Sequence, residues 1–163
     1  MYSDHAGCPI RLEPLADERR RSGLYGLRMS DAVTRRTISP DRMAPPAARY
    51  AHAVLVENAS RWLHTSGVVP VAPDGSVPDG VSAQASQVWS NIAAILTEAD
   101  MTAGDIVSVT TYLVATEVTP GLAQAMAARD EFLGGRRVAS TLVTVPALAQ
   151  PSWLLEIAVV AAA

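Results

Sequence analysis

The chain has 163 residues, of which 49% are hydrophobic and 18% are charged, a composition typical of one folded domain rather than of a disordered chain. No apolar run approaches the ~20 residues of a membrane-spanning helix, since the longest candidate, residues 153–163, contains Glu156. The N-terminal residues carry charges and no apolar core, so no secretory leader is predicted. The single cysteine, Cys8, excludes an internal disulfide. We therefore expect a cytoplasmic protein.

The charge is unevenly distributed along the chain. All 13 basic residues are arginine. Residues 1–49 hold nine of them against six acidic residues, a balance of +3, whereas residues 50–163 hold four against ten, a balance of −6. An acidic body repels a phosphate backbone, so nucleic-acid binding is disfavoured.

The first 36 residues differ from the remainder. They are rich in arginine and show no sustained apolar period. We expect residues 1–36 to form an N-terminal extension, either poorly ordered or acting as a basic arm that docks on a partner. Residues 37–163 are expected to form the folded domain.

The first half of that domain predicts two strands and a helix. Residues 51–56 and 61–66 are predicted to be strands joined as a hairpin by a four-residue loop. Residues 69–80 predict a loop, because Asp74-Gly75 is a turn signal and three prolines oppose regular pairing. Apolar residues then recur at intervals of three and four and predict a helix. Its apolar stripe comprises Val81, Ala85, Val88, Ile92, Leu96 and Ala99.

The second half predicts three strands and another helix. Residues 106–114, rich in Val and Thr, predict a strand. Pro120 suits the first turn of a second helix, which Gly134-Gly135 ends. Residues 139–145 and 153–160 predict the last two strands. The order β-β-α-β-α-β-β predicts an α+β fold with both helices on one face of the sheet. The stripe of the second helix comprises Leu122, Ala125 or Met126, Arg129 and Phe132.

None of the compact catalytic motifs is present in the sequence. It contains no phosphate loop, no dinucleotide-binding fingerprint, no helical zinc-binding histidine pair and no nucleophile elbow. His52 and His64 fall beside each other on the predicted hairpin, but two histidines without a third ligand are typical of structural or surface positions. We predict neither a metal nor a cofactor.

Short phrases occur in a fixed order between residues 48 and 157, within the domain expected at residues 37–163. They are Ala48-Arg49-Tyr50-Ala51-His52-Ala53, Thr65-Ser66-Gly67, Gln84 with Asn91, Val109-Thr110-Thr111-Tyr112-Leu113, Ala139-Ser140-Thr141-Leu142-Val143 and Leu154-Leu155-Glu156-Ile157. Together they resemble the RidA family of reactive-intermediate deaminases, also called the YjgF or L-PSP family. The resemblance implies a chorismate-mutase-like fold, a homotrimer and ligand clefts between subunits. It also implies hydrolysis of enamines and imines to 2-keto acids and ammonia without cofactor or metal.

The resemblance carries over four site residues. Tyr50 matches the family's active-site tyrosine, and Ser66 with Gly67 matches the Ser-Gly pair that ends the second strand. Glu156 matches the glutamate that helps orient the hydrolytic water. We therefore expect Glu156 and Tyr50 to be catalytic, and Ser66 and Gly67 to bind substrate. The alternative for each is a structural role, as a packed ring, a strand end or a solvated charge.

The substrate-binding arginine of the family is missing. In deaminating members it begins the fifth strand and grips the substrate carboxylate through two hydrogen bonds. Here the aligned residue is Ser140, which we also expect to bind substrate. Arg137 and Arg136 lie three and four residues upstream and either take the arginine's place or are exposed loop charges. Met126 replaces an asparagine common in the second helix.

Two functional hypotheses follow. The first is cofactor-free hydrolysis of a small enamine or imine between subunits, with Glu156 activating water, Tyr50 donating a hydrogen bond and Ser66 or Ser140 holding a polar group. The missing arginine predicts a substrate other than the standard 2-aminoacrylate. The second hypothesis is a homotrimer that binds a small metabolite without turning it over. Ribonuclease activity is disfavoured by the acidic body.

Overall fold

The structure, a computed structural model, describes residues 32–163. Most of the expected N-terminal extension, residues 1–31, lies outside the described residues. Within the described part, no helix is long and apolar enough to cross a membrane. The helices and strands are β1 (Thr34–Ile38), β2 (Ala53–Glu57), β3 (Trp62–His64), α1 (Gly80–Glu98), β4 (Ile106–Val114), α2 (Val118–Phe132), β5 (Ala139–Val145) and β6 (Leu155–Ala162).

Four of the strands form one sheet, in the order β3-β6-β4-β5. Strand β6 is antiparallel to β3 and β4, whereas β4 and β5 are parallel, because α2 crosses over between them. Both helices pack on one face of this sheet. Their apolar residues, such as Ile92 and Ala125, form one core with Val109 and Ile157. The predicted α+β class, with two helices on one face, is confirmed.

The alternation of side chains assigns each residue of the sheet to a face. Val109 pairs with Val159, and both are buried beneath the helices, whereas Tyr112 pairs with Glu156, and both are half-buried on the opposite face. We call this second face the open face, because neither helix covers it. By register it comprises Trp62, His64, Ser108, Thr110, Tyr112, Thr141, Val143, Glu156, Ala158 and Val160.

The predicted hairpin is wrong, although both of its strands exist. Strand β2 pairs with β1 in a separate two-stranded sheet, and β3 pairs with β6. His52 and His64 therefore do not lie on neighbouring strands. The sequence pattern does not predict strand β1, because Thr34–Ile38 is mostly polar and exposed. The strand forms instead through backbone hydrogen bonds to β2. Strand β1 spans residue 36, where the N-terminal extension was expected to end.

The ends of α2 follow from its sequence. Thr119, immediately before Pro120, has extended backbone angles (φ −126°, ψ 113°), because a proline ring disfavours the helical conformation of the preceding residue. After the helix, Gly134 and Gly135 have φ values of 59° and 76°, a left-handed conformation that glycine adopts without strain and that ends a helix. The predicted stop is confirmed, and the chain then leads through a short loop into β5.

Candidate functional site

Glu156 lies on the open face, with its carboxylate directly over the backbone of Gly67. A methyl group at residue 67 would overlap Oε1 of Glu156. The approach is set by Val68 and Ile157, whose backbone groups exchange hydrogen bonds of 2.8 and 3.0 Å. Within residues 32–163, the carboxylate makes no hydrogen bond or ion pair. It is therefore available to accept a hydrogen bond from water or from a ligand.

Ser66 immediately precedes Gly67, the residue against which this carboxylate lies. Its side chain is exposed, and its hydroxyl donates only a long hydrogen bond of 3.4 Å to the carbonyl of Gly67. Such a bond is weak. The structure thus brings Ser66, Gly67 and Glu156 together and leaves the hydroxyl accessible to a ligand.

The start of β6, and with it Glu156, is held by a buried glutamine of α1. Nε2 of Gln84 donates to the carbonyls of Pro78 and Ser152 at 2.9 and 2.8 Å. Its Oε1 accepts from the N–H of Leu154 at 2.8 Å. One side chain therefore satisfies three backbone groups in two loops, and fixes the loop that enters β6.

Tyr50 lies between two hydrogen bonds of its neighbouring backbone. Nη2 of Arg129 donates to the carbonyl of Arg49 at 3.2 Å, and the N–H of Ala51 donates to the carbonyl of Val138 at 2.9 Å. The tyrosine ring lies 6.0 Å from the ring of His52. Helix α2 and the start of β5 therefore hold the backbone on both sides of Tyr50.

Ser140 occupies the helix-covered side of β5. It pairs with the buried Val109, and its Oγ accepts a hydrogen bond of 3.1 Å from Nη1 of Arg129. Arg129 is only 3% exposed. Its charge is balanced by Asp130, whose Oδ1 accepts from Nε and Nη2 at 3.0 and 2.7 Å. An arginine thus does reach the residue aligned with the family's arginine, and it comes from α2.

Arg129 is not among the site residues predicted from the sequence, where it belongs to the apolar stripe of the second helix. A charged residue in a buried stripe indicates a structural or functional role, because a buried guanidinium requires hydrogen-bond partners. Asp130 follows this arginine directly in the sequence, whereas the other partners, Ser140 of β5 and the carbonyl of Arg49, are not identified by helical periodicity.

Arg136 and Arg137 lie in a different place from Ser140. They line a cavity of about 280 Å³ with Arg35 and Thr37, and Ser140 is not among its lining residues. Nε of Arg136 donates to the carbonyl of Leu133 at 3.1 Å.

Apart from Arg136 and Arg137, the expected site residues form two separate groups within one chain. Glu156, Gly67 and Ser66 lie together at the open face, whereas Ser140 and Arg129 lie on the helix-covered side. The sheet itself stands between them. No group of three His, Cys, Asp or Glu side chains that could hold a metal occurs in residues 32–163.

The chain is similar to known proteins over most of its described length. A family model described as endoribonuclease L-PSP matches residues 41–163. The mitochondrial protein Mmf1 of Saccharomyces cerevisiae is 34% identical over 83 residues, which are 50% of this chain and 55% of that protein. The match thus spans about half the length of this curated relative.

Solved structures share the fold. The protein YyfB of Yersinia pestis, from the conserved Rid family, has a TM-score of 0.69 and 31% identity, covering 79% of this chain and 98% of that one. RidA from the Antarctic bacterium Psychrobacter has a TM-score of 0.57 and 26% identity, covering 78% and 99%. The chorismate-mutase-like fold expected from the resemblance is confirmed, and the chain belongs to the Rid family, also known as the L-PSP family.

Proposed function

We propose that this protein hydrolyses a small enamine or imine, without a cofactor, in clefts between the subunits of a cytoplasmic homotrimer. The observation that carries the proposal is the carboxylate of Glu156. It is half-buried, it lies against the backbone of Gly67, and it has no partner within residues 32–163. A carboxylate in this state accepts a proton from a bound water.

The chemistry requires only water and proton placement. The water oxygen forms a bond to the imine carbon, while Glu156 takes a proton from that water and passes it to the imine nitrogen to give a carbinolamine. Glu156 then transfers the proton of the carbinolamine hydroxyl to the nitrogen, the carbon–nitrogen bond breaks, ammonia leaves and a carbonyl forms. A positioned acid–base group typically contributes about 10²–10⁴-fold to such a step.

The separation of the two residue groups supports a site between subunits. A pocket that uses both Glu156 and Ser140 requires the open face of one copy to meet another copy near β5. The open face carries apolar surface suited to burial, since Trp62 is 53% exposed and Val143 is 40% exposed. Association with another copy would bury this apolar surface.

The hydrogen bond from Arg129 constrains the substrate. Because Ser140 Oγ accepts from Arg129, its own proton is free to donate to a ligand. The site then offers one neutral donor, with Tyr50 as a second, in place of a two-pronged guanidinium. The loss of a charge-assisted contact weakens carboxylate binding by about 1.5–3 kcal/mol. A substrate other than 2-aminoacrylate fits this site better.

The test measures ammonia release from a panel of enamines and imines generated in situ, with and without a carboxylate, above the rate in buffer. We expect the wild type to accelerate at least one neutral imine, and Glu156→Gln to lower that rate by about 10²-fold or more. Gly67→Ala displaces the same carboxylate without removing it, so it also lowers the rate. Glu98→Gln, which removes an exposed carboxylate of α1, serves as the matched control.

The outcomes separate the hypotheses. Equal rates in the wild type, Glu156→Gln and Gly67→Ala would contradict the role of the carboxylate. Saturable binding of a small molecule, with no acceleration of any imine, would support the alternative of a metabolite-binding trimer. Cleavage of RNA is disfavoured, because residues 32–163 contain eight arginines against 11 acidic residues.

A further inference from the structure

One cavity that the proposed function does not use is rich in arginine. Strands β1 and β2, the start of β4 and the loop before β5 border an open space of about 280 Å³. Arg35 meets there the consecutive Arg136 and Arg137, which lie about 100 residues further along the chain. The cavity is lined by Arg35, Thr37, Val54, Gly104, Ile106, Arg136, Arg137 and Val138.

Only one of these arginines has a carboxylate partner in the described residues. Nη2 of Arg35 lies 2.6 Å from Oδ1 of Asp105 and also donates to the carbonyl of Ala162. The other oxygen of Asp105 accepts from the N–H and hydroxyl of Thr102 at 2.8 and 3.0 Å. The carboxylate of Asp105 therefore already pairs with Arg35 and with Thr102, and it does not neutralise the other two arginines.

Arg136 and Arg137 remain uncompensated. Arg136 donates to a neutral carbonyl, that of Leu133, and Arg137 makes no hydrogen bond or ion pair to any residue in 32–163. These two are among eight arginines in a part of the chain that carries 11 acidic residues, yet no free carboxylate lines the cavity. Both side chains are exposed and line the cavity, so their guanidinium groups are accessible to an anion.

We propose that this cavity binds a small phosphorylated molecule. Two unneutralised guanidinium groups match the charge of a phosphate monoester, about −1.5 to −2 at neutral pH, and guanidinium groups bind phosphate oxygens in pairs. Val54, Ile106 and Val138 provide an apolar wall for the remainder of the ligand. The cavity is smaller than the ~300–1,000 Å³ of most drug-sized ligand sites, which limits the ligand to a small metabolite.

The test is a calorimetric titration of the full-length protein with inorganic phosphate at low ionic strength, and with sodium chloride as the monovalent control. We expect saturable binding of one phosphate per subunit. Arg136→Gln and Arg137→Gln each remove one charged partner and should weaken binding by roughly tenfold or more. Arg42→Gln removes the same charge from an exposed residue outside the cavity and should leave binding unchanged.

Absence of saturable phosphate binding by the wild type would overturn the proposal. An equal loss in Arg42→Gln would also overturn it, because binding would then follow net charge alone. Thermal unfolding of each variant shows whether it remains folded. The titration contains no imine, so its result is independent of the proposed enzymatic function.

Discussion

At the scale of single residues, Arg129 and Ser140 form one unit. The guanidinium is buried, it is neutralised by Asp130, and it holds both Ser140 and the backbone beside Tyr50. The guanidinium thus lies behind β5, on the helix-covered side of the sheet. It acts by positioning the serine hydroxyl.

This arrangement makes a specific substitution unfavourable. Ser140→Arg restores the family's residue but places a second guanidinium where Oγ lies 3.1 Å from Nη1 of Arg129. We expect a loss of roughly 1–3 kcal/mol in the free energy of unfolding from overpacking and like-charge repulsion. The double variant Arg129→Met/Ser140→Arg removes the conflict, so it should recover stability in urea unfolding and lower the KM for an imine that carries a carboxylate.

Arg129→Met alone is the control, because it leaves Ser140 and Asp130 without their donor. If the double variant is no more stable than Ser140→Arg, the two guanidinium positions do not conflict. The interpretation of Arg129 as the displaced arginine would then be wrong.

At the scale of elements, Gln84 links α1 to the strand that carries Glu156. Its three hydrogen bonds join the loop before α1, the loop before β6 and the first residues leading to Glu156. Gln84→Ala leaves the N–H of Leu154 and two carbonyls without their partner. We expect a loss of roughly 2–4 kcal/mol in the free energy of unfolding, together with a lower rate of imine hydrolysis, because the loop that leads into Glu156 is then less firmly held.

Urea denaturation of Gln84→Ala beside Ser82→Ala measures this effect. Ser82 lies on the same helix but is exposed, and its substitution should change stability by less than about 0.5 kcal/mol. Similar stabilities for the two variants would show that water replaces the glutamine without cost.

Local pattern predicted most elements because their burial is periodic. Helix α1 has the expected stripe, and β4 and β5 have the expected bounds. The pairing of β2 and β3 was predicted wrongly, because the partner of a strand is chosen by contacts distant in the chain. Strand β3 pairs with β6, far along the chain, and β1 pairs with β2 through its backbone with no apolar alternation to reveal it. The contact of Arg129 with Ser140 was missed because helical periodicity does not identify partners on another element.

At the scale of the whole molecule, the proposed homotrimer accounts both for the uncovered open face and for the separation of Glu156 from Ser140. A second copy against the open face would cover Trp62 and Val143 and would bring its own Ser140 and Tyr50 towards Glu156. In a homotrimer, each of three equivalent interfaces then contains one complete site. In the proposed homotrimer, each site would therefore be formed by a pair of chains.

Subunit mixing tests this directly. Glu156→Gln and Ser140→Ala each inactivate one half of the site, so each homotrimer should hydrolyse imines poorly. Trimers re-formed from an equal mixture of the two variants should contain about one intact interface in four, because the intact halves then meet by chance. We expect activity to rise towards a quarter of the wild-type rate after subunit exchange, and to remain low in a mixture that has not exchanged. If both halves acted within one chain, exchange would restore nothing, since every chain carries a defect.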